Sequence, residues 1–290
     1  MRVFNAVYAS GFALHCLLWP GPAQAQAPAD RTPDVLAGAT VATHRVDLRP
    51  VLREMGIVPR RQGSRPTCSV FTVAAGLEFA LAKRVGHAPR MSVEFLNWAA
   101  CQACGRVKDG GFFSDLWQGF ETAGICAEEA MPYQPQFDPG LRPTPEALAE
   151  AKARKPLGLR LNWIKRWDVK TGLAPSEFDG IQHSLEEGWP VCGGFRWPTH
   201  ARWVEGVLQM CAAHEVFDGH SVLIVGFRDD AAQPGGGVFV FRNTAGDGRD
   251  GLMPYAYARL YMNDAASITT EVPPTAASKS APAASVPVLE

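Results

Sequence analysis

The chain has 290 residues, of which 47% are hydrophobic, and its 28 Lys and Arg against 29 Asp and Glu give a formal net charge of −1. This length and composition suffice for one large folded domain or two packed lobes. The balanced charge and the lack of a long basic run exclude nucleic acid and an anionic membrane surface as predicted partners.

Residues 1–25 have the pattern of a cleavable signal peptide. Arg2 supplies a positive start, and residues 6–20 are an apolar run too short to span a bilayer comfortably. Ala-Gln-Ala at 23–25 matches a signal-peptidase site, and the overlapping triplet at 25–27 fits nearly as well. An uncleaved N-terminal anchor is the alternative. We predict a secreted or periplasmic protein with no stable membrane association after cleavage.

Composition sets the predicted boundaries of the folded domain. Residues 26–44 form a short linker rich in Ala, Pro and Thr. Residues 265–290 are rich in Ala, Pro, Ser and Thr with few large apolar side chains, which predicts a disordered tail. The folded part is therefore expected to span residues 45–264.

The first half of this domain is predicted to be mostly helical. Apolar residues at helical spacing predict a helix over 68–85, with Gly86 as its end. Periodicity and capping residues predict further helices at 92–101, 112–123, 145–154 and 176–187.

The second half is predicted to form strands, at 189–197, 220–227 and 237–243. The last two flank a loop rich in Asp, Pro and Gly, which indicates an antiparallel hairpin. Helices followed by strands predict an α+β fold with two lobes.

Four residues could together form a nucleophilic site. His220 and Asn243 stand at the open end of the hairpin, roughly 5 Å apart on neighbouring strands, where the amide oxygen can orient the ring. Cys68 begins a helix, whose dipole favours a thiolate. Gln62 offers a side-chain amide that, with the backbone N–H of Cys68, could bind an oxyanion. Each residue alone is more often structural, so the hypothesis depends on the four together.

These residues resemble those of the papain-like cysteine peptidases. The family typically shows Gln-Gly-Ser, three more residues and then the catalytic Cys, as residues 62–68 do here. The "GHSVLIVGF" and "FRNTAGDGRDG" stretches resemble its His-bearing and Asn-bearing strands. The resemblance covers nearly all of 45–264 and extends to five other motifs. They are "VDLRP" (46–50), "SVE" (92–94), "DGG" (109–111), "GICAEEAMPY" (124–133) and "LMPYAYARLY" (252–261), and the last two resemble bacterial branches specifically.

The resemblance implies a papain-like fold with a helical N-terminal lobe, an antiparallel β C-terminal lobe and the active site in the cleft between them. It implies that Cys68 attacks the scissile carbonyl of a peptide or protein substrate and that His220 transfers the proton. Asn243 would orient His220, and Gln62 would bind the oxyanion. No cofactor or metal is implied, and a monomer is expected.

The sequence also departs from the family pattern. Ser69 and Ala245 stand where a Trp is usual, and Arg65 and Lys108 occupy the places of a usual cysteine pair. Residues 26–44 are too short for the usual inhibitory propeptide. Two alternative functions therefore stay open: a thiol amidase or acyl transferase acting on a non-protein amide, and a catalytically silent peptide-binding module.

Six cysteines remain after removal of the signal peptide, which contains the seventh. Cys101-x-x-Cys104 lacks the further Cys or His residues that would complete a four-ligand zinc site. We expect instead a structural disulfide from Cys101 or Cys104 to Cys126. The other two, Cys192 and Cys211, are assigned no role, and Cys192 is expected to be buried.

Overall fold

The structure is a computed structural model that describes residues 44–87, 90–155 and 158–271. The predicted signal peptide, nearly all of the predicted linker and residues 272–290 of the predicted tail lie outside the described residues. Helices and a large, mostly antiparallel sheet confirm the predicted α+β class.

The helices lie close to their predicted positions. The longest, α2, spans the predicted residues and ends at Gly86, whose φ of +84° is a left-handed conformation that glycine adopts without strain. The described helices are α1 (Arg49–Glu54), α2 (Cys68–Val85), α3 (Val93–Cys104), α4 (Phe113–Ala123), α5 (Pro145–Arg154), α6 (Pro175–Glu186) and α7 (Tyr255–Tyr261).

The strands form one sheet in the order β2-β9-β3-β6-β7-β8-β5-β4, and β1 pairs with the far end of β6. Neighbouring strands run antiparallel except β5 and β8. The strands are β1 (Arg45–Asp47), β2 (Leu159–Lys165), β3 (Val191–Pro198), β4 (Trp203–Val204), β5 (Val207–Leu208), β6 (Val216–Asp229), β7 (Gly237–Arg242), β8 (Asp250–Pro254) and β9 (Met262–Thr270).

Strand β9 corrects the predicted boundary of the tail. Residues 265–270 belong to this strand, which pairs with β2 on one side and β3 on the other. The strand lies beneath α2, where a Cβ at Gly76 would stand 3.1 Å from Ile268 Cδ1. The small residues of β9 resemble a low-complexity segment, so composition placed the domain end several residues too early.

Helix α2 packs across the sheet, with Gly76 close to both Cys192 of β3 and Ile268 of β9. Helices α3 and α4 pack against α2 on the other side, so its first residue, Cys68, lies where the helical half of the molecule meets the sheet. Within the described ranges, no helix combines the length and the apolar character needed to cross a bilayer.

Candidate active site

The loop before α2 is held by hydrogen bonds to both halves of the molecule. The Gln62 backbone N–H donates to Thr244 O (2.9 Å), and the Tyr133 hydroxyl donates to Gln62 O (2.8 Å). That hydroxyl also bonds the Thr67 side chain at 2.7 Å. Thr67 is therefore used to fix the loop and does not cap α2, whose first N–H groups are left without a side-chain partner.

Arg65 is the centre of a buried charge cluster in this loop. Its guanidinium contacts Glu94 at 2.6 and 3.1 Å and Asp109 at 2.7 and 3.0 Å, and it donates to Gln134 O at 2.8 Å. The side chains of Arg65, Glu94 and Asp109 are at most 7% exposed. In the papain-like pattern a cysteine occupies the Arg65 position. Here ionic contacts through Arg65 join this loop to the turn at residues 109–111, called the glycine turn below.

Gly110 allows the glycine turn to approach the loop before α2 closely. Its φ is +71°, and a Cβ there would stand 2.5 Å from Pro66 O. No other residue type could adopt this conformation at this distance without moving the loop. The turn thus forms one wall of a cleft of about 360 Å³ that Cys68 and His220 also line.

Cys68 contacts the residues on either side of His220. Its thiol donates to Gly219 O at 3.7 Å, and Ser221 lies close enough to lower the pKa of the thiol. Gly219 has a φ of +111°, which helps to turn its carbonyl toward the thiol. The sulfur therefore lies at the first residue of α2 and against strand β6 at the same time.

The hairpin brings His220 and Asn243 together, as its symmetry predicts. His220 Nε2 lies 2.9 Å from Asn243 Oδ1. The same oxygen accepts from the Ala245 backbone N–H at 3.1 Å, which fixes the orientation of the amide. We therefore assign the ring proton to Nε2, and Nδ1 is left able to accept a proton.

Trp197 is a site residue that sequence reasoning missed. It lies on β3, is 8% exposed and meets the His220 ring edge-on with centroids 4.6 Å apart. Its indole packs against the same His220 ring that is hydrogen-bonded to Asn243. The family pattern has its Trp two residues after the Asn, where this chain has Ala245, and an aromatic residue in a strand otherwise indicates only core packing.

The protonation of the pair differs from the sequence prediction. Burial raises the pKa of the Cys68 thiol, and hydrogen bonds from Ser221 and Ser69 oppose this only in part. Burial also lowers the pKa of His220, against the effect of its bond to Asn243. Burial thus favours the neutral thiol of Cys68 and the neutral imidazole of His220, and it opposes the effect of the helix dipole on the thiol.

Gln62 is held at both ends of its side-chain amide. Its Nε2 donates to Arg65 O at 2.9 Å, and its Oε1 accepts from the Thr244 hydroxyl at 2.8 Å. One amide hydrogen is left, because the group has two donors. Gln62 is 8% exposed and is not among the described residues that line the cleft with Cys68.

All six cysteines of the described residues are free thiols, so the disulfide predicted for Cys126 is not formed. The Cys101 thiol donates to Lys108 O at 3.1 Å, and Cys104 points to Gln118. Cys126 is fully buried in a separate cluster with Phe95. Over the described ranges, no group of three or more His, Cys, Asp or Glu side chains is placed to hold a metal.

Comparison with known proteins places this geometry in a known architecture. The solved structures that match with probability 1.00 include three cysteine proteases or their proforms. Xylellain, a cysteine protease from Xylella fastidiosa, has a TM-score of 0.59 at 22% identity, over 78% of this chain and 85% of that one. The fold is papain-like.

The other two matches agree on the papain-like fold. Procathepsin L 3 from the Tenebrio molitor larval midgut has a TM-score of 0.54 at 18% identity, over 82% of this chain and 73% of that one. The proform of Amb a 11, a ragweed pollen cysteine protease, has a TM-score of 0.56 at 19% identity, over 82% of this chain and 69% of that one. No family model and no curated protein matches this chain.

His220 is expected to control the reactivity of Cys68. With His220→Ala, alkylation of Cys68 by iodoacetamide at pH 7 should slow by about 10²-fold, because the neutral thiol loses its proton acceptor. Peptide mapping after brief labelling measures the rate. Cys104 and Cys211, which are more exposed and do not line the cleft, are internal controls. Equal labelling of Cys68 in both proteins would exclude proton transfer to His220.

Proposed function

We propose that this protein is an exported cysteine peptidase that hydrolyses peptide bonds with Cys68 as the nucleophile. The observation that carries the proposal is one cleft lined both by the thiol at the start of α2 and by a histidine whose ring is bonded to an asparagine. Export is inferred from the pattern of residues 1–25 alone and implies a secreted or periplasmic protein.

In the proposed reaction, His220 Nδ1 accepts the thiol proton as the sulfur attacks the scissile carbonyl. The imidazolium then donates this proton to the leaving amine, and water hydrolyses the acyl-enzyme with His220 again as the base. Asn243 holds the ring in one tautomer through its bond to Nε2. Trp197 limits the access of water to this bond, which keeps it strong.

The oxyanion is proposed to bind at the start of α2. The uncapped N–H groups of the first turn, including that of Cys68, are fixed donors at the positive end of a helix of 18 residues. The remaining hydrogen of the Gln62 amide would be the second donor. The bonds from that amide to Arg65 O and from Thr244 hold it in place before substrate arrives.

One experiment tests the proposal directly. The exported protein is incubated with a library of fluorogenic peptides, and separately with an irreversible thiol-protease epoxide whose adduct is mapped by mass spectrometry. We expect peptide cleavage, one adduct at Cys68, and neither with Cys68→Ala. Labelling of Cys68 with cleavage of small amides only would indicate a thiol amidase or acyl transferase. The absence of both labelling and cleavage would indicate a silent binding module.

Gln62→Ala is expected to lower kcat by about 10²-fold and to change KM little, because its donor acts on the transition state. The matched control is Thr244→Val, which removes the hydroxyl bond to Gln62 and keeps the amide donor. Thr244→Val should lower the melting temperature slightly and spare most of kcat. Steady-state kinetics with a thermal melt separate the two effects. Near-wild-type kcat for Gln62→Ala would restrict Gln62 to a bracing role.

A further inference from the structure

The cleft contains a carboxyl group that the proposed chemistry does not use. Asp264, on strand β9, lines the same cleft as Cys68 and His220 and is 5% exposed. Burial raises its pKa to about 7, against the effect of Lys165. A carboxyl that loses this much hydration is costly to ionise unless a cation comes to it.

The backbone opposite Asp264 makes room for the carboxyl. Gly194 of β3 pairs directly with Asp264 of β9. A Cβ at Gly194 would overlap the Asp264 carboxyl, so any other residue would displace it. Gly194 itself lines the cleft. The absence of a side chain at Gly194 thus lets the Asp264 carboxyl lie over β3, in the cleft that Cys68 also lines.

The protein supplies no close cation for Asp264. Among the described residues, none forms an ion pair with its carboxyl within 4 Å and no side chain donates a hydrogen bond to it. Lys165, whose charge acts on Asp264, contacts Thr171 at 3.1 Å and Glu177 at 3.8 Å instead. The carboxyl is therefore left for a group that enters through the cleft.

Two aromatic rings stand above this carboxyl at the mouth of the cleft. Phe112 comes from the start of α4 in the helical half, and Trp167 follows β2 in the sheet half. Their rings meet edge-on at 5.2 Å, and the residues are 49% and 46% exposed, against 5% for Asp264. Such walls suit an aliphatic stem or a cation passing toward a deeper charge.

We propose that the cleft binds a cationic group of the substrate against Asp264, alongside the contacting rings of Phe112 and Trp167 that line the same cleft. The group is an ammonium or a guanidinium, and it comes either from a Lys or Arg side chain or from a free amino terminus. This inference rests on the peptidase function proposed above and names its substrate class.

The experiment compares matched peptides. Each pair of fluorogenic peptides differs at one position near the scissile bond, which holds either lysine or its uncharged analogue norleucine, and the positions are tested one after another. A second set of pairs differs in having a free or an acetylated amino terminus. We expect a kcat/KM ratio of charged to uncharged peptide of about 10 or more, from the ion pair with a buried carboxylate. In Asp264→Asn the ratio should fall to about one. The lysine arm and the amino-terminal arm separate the two sources of the cation.

The pH dependence of this ratio is a second readout. Titratable and charged groups from several elements face or border Asp264: Lys165 (β2), Cys192 (β3), His220 (β6), Cys68 (α2), and Arg106, Lys108 and Asp109 between α3 and α4. Their titration affects both peptides of a pair alike, so the ratio isolates Asp264. It should rise from pH 6 to pH 8 as the carboxyl ionises. For an amino-terminal cation it should fall again once the α-amino group loses its proton.

Asp179→Asn, an exposed aspartate of α6, is the matched control and should leave the ratio unchanged. Binding of the lysine and norleucine peptides to Cys68→Ala, measured by calorimetry, tests the site without catalysis. Cleavage of all peptides with a ratio near one would overturn the inference and leave the peptidase function standing. Equal binding of both peptides to Cys68→Ala would overturn it whatever the activity.

Discussion

Replacing His220 with alanine is expected to lower kcat/KM for a peptide substrate by about 10⁴-fold, because the variant lacks the group that is both base and acid in the proposed reaction. Asn243→Ala should lower it by only about 10 to 10²-fold. Asn243 acts on the ring through one hydrogen bond of 2.9 Å and carries no proton itself. In that variant Trp197 still packs against the His220 ring and limits its reorientation.

The measurement is the pH profile of kcat/KM for both variants, with thermal melts to confirm folding. Asn243→Ala should keep a profile with two limbs, since His220 still titrates, whereas His220→Ala should lose the limb that belongs to the histidine. Equal losses in the two variants would mean that the orientation of the ring matters as much as its proton.

Arg65→Met is expected to lower the free energy of unfolding by about 3–5 kcal/mol, the usual cost of removing one partner from a buried ion pair. The substitution leaves the carboxylates of Glu94 and Asp109 buried without their cation. It also loosens the loop before α2, in which the backbone carbonyl of residue 65 accepts a hydrogen bond from the Gln62 amide. Activity measured on the folded fraction should therefore fall as well.

Urea unfolding of wild type and variant at pH 7 measures the effect. The matched control is Arg160→Met, since the pair of Arg160 with Glu271 is 68% and 77% exposed and such pairs contribute about 0–1 kcal/mol. A loss below about 1 kcal/mol for Arg65→Met would show that the cluster contributes no more than an ordinary surface pair.

Sequence patterns over short stretches predicted those elements whose structure depends on neighbouring residues in the chain. The period of apolar residues gave α2 its full extent, and hairpin symmetry was enough to bring His220 to Asn243. Strand β9 was misjudged, because a central strand of small residues has the composition of a tail. The His220–Asn243 pair spans 23 residues, whereas β9 pairs with β2 and β3, which lie much earlier in the chain.

The parts of the site that sequence missed depend on distant residues. Trp197 meets His220 only through the pairing of β3 with β6, and Arg65 reaches Asp109 across 44 positions. The charge state of Cys68 was mispredicted for a related reason. Its place at a helix start is visible in the sequence, whereas its burial against β6 is set by the tertiary fold.

The charge cluster at Arg65 also determines how the molecule should respond to reductants. A nucleophilic thiol works only while it is reduced, and the agents that keep it so also cleave accessible disulfides. Here the loop before Cys68 is joined to the glycine turn by Arg65, Glu94 and Asp109, contacts that no thiol reagent can exchange. Reducing conditions that keep the Cys68 thiol free therefore leave the cleft wall formed by the glycine turn intact.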